Sequence, residues 1–135
     1  MTHAADPYPQ TRAHREAGDW NPLWEKFREF DPDFLEAYLA FRAVPQTKGP
    51  LERKHKELIL IAVNAATTHL YGPGVRRHIR NALEAGATAE EILETIQLTS
   101  IIGIHACNLA LPILEEEIQA ASHAADYVPT DTGGR

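Results

Sequence analysis

From Leu58 to Ala66 the chain reads LILIAVNAA, apolar on every side of a helix except at Asn64. A helix of that kind has no flank to give to water, so the rest of the chain is expected to wrap it. The preceding residues, LERKHKE, are charged, and at about 100° per residue Arg53, Glu57, Ile61, Asn64 and Thr68 fall on one stripe. The polar groups of this central helix therefore share a face, which suggests a cavity beside it. No stretch alternates apolar and polar residues with a period of two, and no internal repeat is present. The expected fold is all-α.

Upstream, NPLWEKFREF places Leu23, Trp24, Phe27 and Phe30 at helical spacing, with Asn21 as cap and Pro22 at the first helical position. Asp31-Pro32 repeats that start signal ahead of DFLEAYLAF, whose helix is expected to stop before VPQTKGP. This aromatic helix pair is read as core packing. Downstream of the central helix, a further helix is expected from just after Gly74 through VRRHIRNALEAG to Gly86, a left-handed terminator. Thr88 and Glu91 then form a capping box ahead of a long apolar helix, ILETIQLTSIIGIHACNLAL, with a kink or restart at Pro112. ILEEEIQAA continues as an acidic amphipathic helix. Residues 1–19 show no periodic stripe and are read as a flexible arm, 20–120 as one helical domain and 121–135 as a flexible tail.

At 135 residues with 44% hydrophobic content the chain is long enough for one core and too short for two independent ones. Its net charge of -6 argues against nucleic acid as a partner. The first residues lack a secretory signal, and no apolar run approaches the ~20 residues of a membrane span, so a cytoplasmic protein without a membrane partner is expected. The single cysteine, Cys107, excludes an intrachain disulfide or CxxC pair and is expected to be buried. No GxGxxG, P-loop or GxSxG motif supports a nucleotide-binding or serine-hydrolase reading.

The stretch THLYGPGVRRHIRNAL, from Thr68 to Leu83, carries the candidate chemistry. His78 falls on the inward side of its helix with Val75, Ile79 and Ala82, and Glu57 can orient its ring as a carboxylate partner. These two are the candidate catalytic residues; the bland alternatives are a satisfied core histidine and a Glu57 paired with Arg53. The Gly-Pro-Gly turn offers the helix N–H groups from Gly74 onward, and Arg76 and Arg77 add positive charge in the first turn, the outline of a carboxylate pocket. Ordinary ion pairs of these arginines with the LEEEI segment are the alternative. His69, Tyr71 and His105, with Asn64, extend the candidate substrate pocket; His105 is read on a buried stripe with Leu98, Ile102 and Leu109. His69, His78 and His105 together raise the question of a metal, but they lack the i, i+3 or i, i+4 pairing of ligand sets. An oxygen-rich substrate, with no metal or organic cofactor, is the favoured occupant.

KELILIAVNAA, a turn, then RRHIRNALEAGATAEEILETIQLTSIIGI resembles the carboxymuconolactone decarboxylase family, including its alkylhydroperoxidase-D-like branch, over roughly Pro32 to Glu117. Glu57 matches the acidic residue that opens the family's core helix, His78 its histidine, and AGATAEEI its following turn. The resemblance implies a compact helical bundle, a homo-oligomer with a trimer or hexamer favoured, and a carbon-carbon lyase. Its substrate would be a small carboxylated lactone or other ring-cleavage product of aromatic catabolism, decarboxylated without a cofactor with His78 as general acid/base. The peroxidase branch carries a CxxC pair where this chain has HLYGPG, with His69 at the first cysteine position and no thiol, so thiol peroxidase chemistry is not expected. The decarboxylase branch also lacks CxxC, with a shorter spacing from core helix to histidine. Two further readings are a metal-dependent enzyme using His69, His78 and His105 on a similar small acid, and a non-catalytic ligand-binding or scaffold protein.

Overall fold

The computed structural model describes residues 6–126; among them there are seven α-helices and no strand. The chain divides into two compact units, Met1–Pro50 and Leu51–Arg135, a boundary inside the stretch 20–120.

The first unit holds α1 (Pro9–Glu16), α2 (Trp24–Phe30) and α3 (Pro32–Thr47). Helix α1 lies in the segment read as a flexible arm. It is anchored from a distance: the Glu36 carboxylate on α3 accepts from the Gln10 N–H at 2.6 Å, the Thr11 N–H at 3.0 Å and the Thr11 hydroxyl at 2.9 Å. A tertiary cap of this kind leaves no apolar periodicity to read. Asn21 accepts from the Leu23 N–H, but α2 starts only at Trp24. Asp31 caps α3 as its spacing predicts, accepting from the Phe34 N–H at 2.9 Å. That helix does not stop before Val44. It runs through Pro45 to Thr47, because the proline removes one donor while the Lys48 N–H still bonds to the Val44 carbonyl at 3.1 Å.

Trp24, Leu35 and Leu39 form the small core of this unit, with Trp20 packed edge-on against Trp24. The reading of the aromatic helices as wholly core is corrected here. Phe27 and Phe34 stack on one another but remain exposed, and Phe30 and Phe41 are 87% and 74% exposed, because they point away from the Trp24, Leu35 and Leu39 side.

The second unit consists of α4 (Arg53–Ala65), α5 (Gly72–Glu84), α6 (Ala89–Thr99) and α7 (His105–Asp126). Its core is built from Ile61 and Ala65 of α4, Val75, Ile79 and Ala82 of α5, Ile92 and Ile96 of α6, and Cys107, Ala110, Ile113 and Leu114 of α7. Central helix α4 is not buried on every side: Ile59 and Val63 are half exposed, and its fully buried face is Glu57, Ile61, Asn64 and Ala65. Three neighbours cover one side of it and leave the opposite flank open.

Helix α5 begins at Gly72, earlier than the sequence reading, because Pro73 fits the first turn where its missing N–H costs nothing. Its end follows expectation. Gly86 at φ +86° allows the Ala87 N–H to reach the Ala82 carbonyl and the Gly86 N–H the Leu83 carbonyl, the paired bonds of a Schellman turn. Thr88 and Glu91 form the expected reciprocal capping box. The Lys54 ammonium, 2.8 Å from Glu91, and the Thr88 N–H hold the Glu91 carboxyl below its ordinary range, and the ion pair joins α4 to α6.

The long apolar run after Thr88 is not one helix kinked at Pro112. Helix α6 ends at Thr99, a 3₁₀ turn covers Ser100–Ile102, and α7 then runs unbroken through Pro112. The break falls at Gly103 because the chain passes against Thr67, whose hydroxyl donates to the Gly103 carbonyl; a Cβ on Gly103 would lie 2.5 Å from the Thr67 hydroxyl oxygen. Past this break the helical phase changes. His105, past the break, is exposed, as are Leu98 and Ile102 before it, which corrects the buried stripe assigned to them. Cys107 is buried, its thiol 3.9 Å from the Ile96 carbonyl. Helix α7 extends into the segment read as a tail; residues 127–135, like residues 1–5 of the arm, lie outside the described residues. No helix among the described residues is long and apolar enough to cross a membrane.

Candidate functional site

Glu57 lies on the first turns of α4 and His78 near the middle of α5, and packing these two helices against each other brings them into contact. Nδ1 of His78 is 2.7 Å from Oε2 of Glu57, with the residues 4% and 5% exposed. A carboxylate at this distance fixes the ring: Nδ1 carries the proton and donates, which leaves Nε2 as the nitrogen that can take and give a proton. Burial raises the importance of the contact, since a carboxylate removed from water needs a charged or donating partner. The ordinary partner considered for Glu57 is engaged elsewhere. Arg53 pairs at the surface with Glu84, at 3.5 Å.

Asn81, one turn beyond His78 on α5, donates from Nδ2 to the same Glu57 Oε2 at 3.5 Å. It is absent from the sequence-derived candidates, although its i+3 position relative to His78 puts it on the same side of the helix. Without the partner helix in view, an asparagine there reads as solvent-facing.

At the other end of the α4–α5 pair, Asn64 is buried and its polar groups are used within the fold. Nδ2 donates to the Leu60 carbonyl at 2.8 Å, the Asn64 carbonyl accepts from the Tyr71 N–H at 2.8 Å, and Oδ1 lies against the Cα of Gly74. Leu70 at φ +46° turns the chain into this corner, a left-handed conformation that a branched residue adopts only when its surroundings impose it. A Cβ on Gly74 would fall onto Asn64 Oδ1 and lie 2.7 Å from both Asn64 Cγ and Tyr71 Cδ1. Gly74→Ala is therefore expected to destabilise the protein by about 1–3 kcal/mol, read as a lower urea midpoint at unchanged m-value. Wild-type stability would show that the corner yields.

The remaining sequence candidates are distributed differently. His69 is exposed and Tyr71 half-buried, their rings 5.7 Å apart at the α4–α5 turn, and His105 is exposed at the start of α7. Arg76 is taken up by α7: it lies 2.6 Å from Glu116 and 3.3 Å from Glu117, which together hold its guanidinium more firmly protonated than usual. Arg80 shares Glu117 at 3.2 Å, whereas Arg77 is half-buried. Among the described residues no three His, Cys, Asp or Glu side chains come together as a metal-binding group, so His69, His78 and His105 do not form the ligand set considered for them. A groove of about 380 Å³ runs between α5 and α7, lined by Arg80, Leu83, Glu84, Glu117 and three alanines. None of the candidate residues from the sequence lines it.

Four helices around an apolar core, with a buried carboxylate and histidine joined across two of them, define an all-α protein. The model of the carboxymuconolactone decarboxylase family matches residues 32–116, and the chain belongs to that family. No curated protein matches it. Among solved structures, it is similar to a Burkholderia xenovorans protein provisionally named a carboxymuconolactone decarboxylase, at 22% identity over 86% of this chain and 90% of that one, with a TM-score of 0.71; this likeness is one of fold. A second protein of that organism, provisionally named a gamma-carboxymuconolactone decarboxylase subunit, is 40% identical over 90% of this chain with a TM-score of 0.61. This chain spans 51% of that protein's length.

Proposed function

We propose that this chain is a decarboxylase-like carbon-carbon lyase acting on a small carboxylated lactone or related ring-cleavage acid, with His78 as general acid/base oriented by Glu57. The observation that carries this reading is the 2.7 Å bond between two buried titratable side chains, both inside the residues 32–116 that the family model matches. Loss of CO₂ breaks a carbon-carbon bond and leaves its electron pair on the substrate, where a conjugated lactone carbonyl accepts it as an enolate. The carbonyl supplies the electron sink, so the reaction asks no cofactor for that task. The protein has to hold the carboxylate, stabilise the enolate oxygen and return a proton to carbon.

His78, oriented by Glu57 through Nδ1, delivers that proton from Nε2 and regains it from solvent. The α5 start at Gly72–Gly74 and Arg77 are assigned to the substrate carboxylate, and His69 and Tyr71 to the enolate oxygen. Arg76, held by Glu116 and Glu117, supports the α5–α7 packing in this scheme, and Asn64 the corner beneath the site. The test is a screen of ring-cleavage acids and lactones with wild type beside His78→Ala and Glu57→Gln, folding checked by circular dichroism. Turnover confined to wild type supports the assignment, and full activity in both variants overturns it.

We further propose that the chain works as a homo-oligomer, a trimer or hexamer. Ile101, Ile102, Ile104 and Leu98 are between 61% and 79% exposed around the 3₁₀ turn, and Ile59 and Val63 leave one flank of α4 bare. Apolar surface gathered in this way marks an association site. Light scattering is expected to give three or six times the 15.0 kDa of one chain; a monomer would contradict it.

A further inference from the structure

We infer that Asn81 is a positioning residue of the Glu57–His78 pair, the neutral donor that keeps the Glu57 carboxylate turned toward the histidine. The inference rests on the reading of His78 as the proton carrier. Oε2 of Glu57 faces two donors from one helix, His78 Nδ1 at 2.7 Å and Asn81 Nδ2 at 3.5 Å. Both come from α5, one turn apart, while the acceptor belongs to α4, so the three side chains also tie the helices together. The amide carries no charge and does not titrate, and so presents its N–H to Oε2 at every pH.

That constancy has a chemical consequence. A carboxylate oxygen accepts from two N–H groups at once, whereas the hydroxyl oxygen of a neutral carboxyl is a poor acceptor, so placing the pair's proton on Oε2 would weaken its bond from Asn81. The proton shared by the pair therefore stays on Nδ1, and Nε2 remains the nitrogen open to exchange with a substrate. With Asn81 removed, Oε2 keeps a single donor, and the carboxylate and ring are free to rotate away from their common line. The ring then also populates the tautomer with its proton on Nε2.

Long-range ¹⁵N–¹H spectra of the full chain labelled in histidine read this directly and need no substrate, so their outcome is separate from that of the lyase reading. The His78 signals are assigned by their disappearance in His78→Gln. Wild type is expected to show His78 protonated at Nδ1 with a downfield, exchange-protected proton. Asn81→Leu, which keeps the volume and removes the donor, is expected to lose that proton signal and mix the tautomers, whereas Asn81→Gln, which keeps the donor, retains it. Should the leucine variant not fold, Asn81→Ala is read by the same criterion. A leucine or alanine variant with the wild-type Nδ1 signal overturns the inference, as does a folded glutamine variant that loses the signal as fully as leucine does, since packing would then be the cause.

Discussion

His78→Ala is expected to cost about 3–5 kcal/mol of folding stability, an effect set by what it leaves behind rather than by the contacts it removes. Glu57 is 5% exposed and lies 2.7 Å from the ring, so deleting the ring strands a carboxylate in an apolar helix pair. Asn81, a single neutral donor at 3.5 Å, does not replace a charged partner. Taking out both ends, as in Glu57→Leu with His78→Leu, is expected to restore most of the loss, because the desolvation cost disappears together with the attraction. The exposed pair of Arg53 and Glu84 is the internal contrast, and Arg53→Ala should fall within about 1 kcal/mol of wild type. Urea titrations of the four proteins measure all of this. A wild-type midpoint for His78→Ala would show that the pair is not a buried, mutually dependent unit.

The second large effect is on turnover. His78→Gln keeps an amide donor for Glu57 and so avoids the stranded carboxylate, but it has no group that can take up and return a proton. A general acid ordinarily supplies a factor of about 10²–10⁴, and kcat for decarboxylation should fall by that amount while the circular dichroism spectrum stays unchanged. Glu57→Gln acts in the same direction by a different route: the ring keeps a hydrogen-bond partner, but a carboxamide can donate as well as accept and so no longer fixes which ring nitrogen carries the proton. A parallel loss of kcat with little change in KM would place both side chains in the proton step rather than in binding.

How much of this was legible in the sequence depends on the range of the interactions involved. Signals written within one turn of chain were readable: the Asp31 cap, the Thr88 and Glu91 capping box and the Gly86 terminator all stand where spacing puts them. The inward face of α5 was equally plain, since Val75, His78, Ile79 and Ala82 share a helical stripe. What failed depended on a partner distant in sequence. Helix α1 exists because Glu36 caps it, and the break before α7 sits at Gly103 because Thr67 approaches it. The exposed phenylalanines of α2 and α3 and the bare flank of α4 show the same lesson from the other side, since an apolar residue in sequence does not say which surface covers it. For the site, residue types and spacing singled out Glu57 and His78. They did not disclose that Asn81 meets the same carboxylate, that Arg76 is engaged by Glu116, or that the Asn64 amide donates back to Leu60 within α4.

The most direct test of the proton-transfer site is single-turnover chemistry in heavy water, with small carboxylated lactones offered to wild type and to His78→Gln. For a compound that wild type consumes, one CO₂ should be released and one deuteron should appear at the carbon that lost it, with the deuteration rate reduced in the variant. CO₂ release and deuteration at the wild-type rate in a folded His78→Gln protein would contradict the role given to the Glu57–His78 pair.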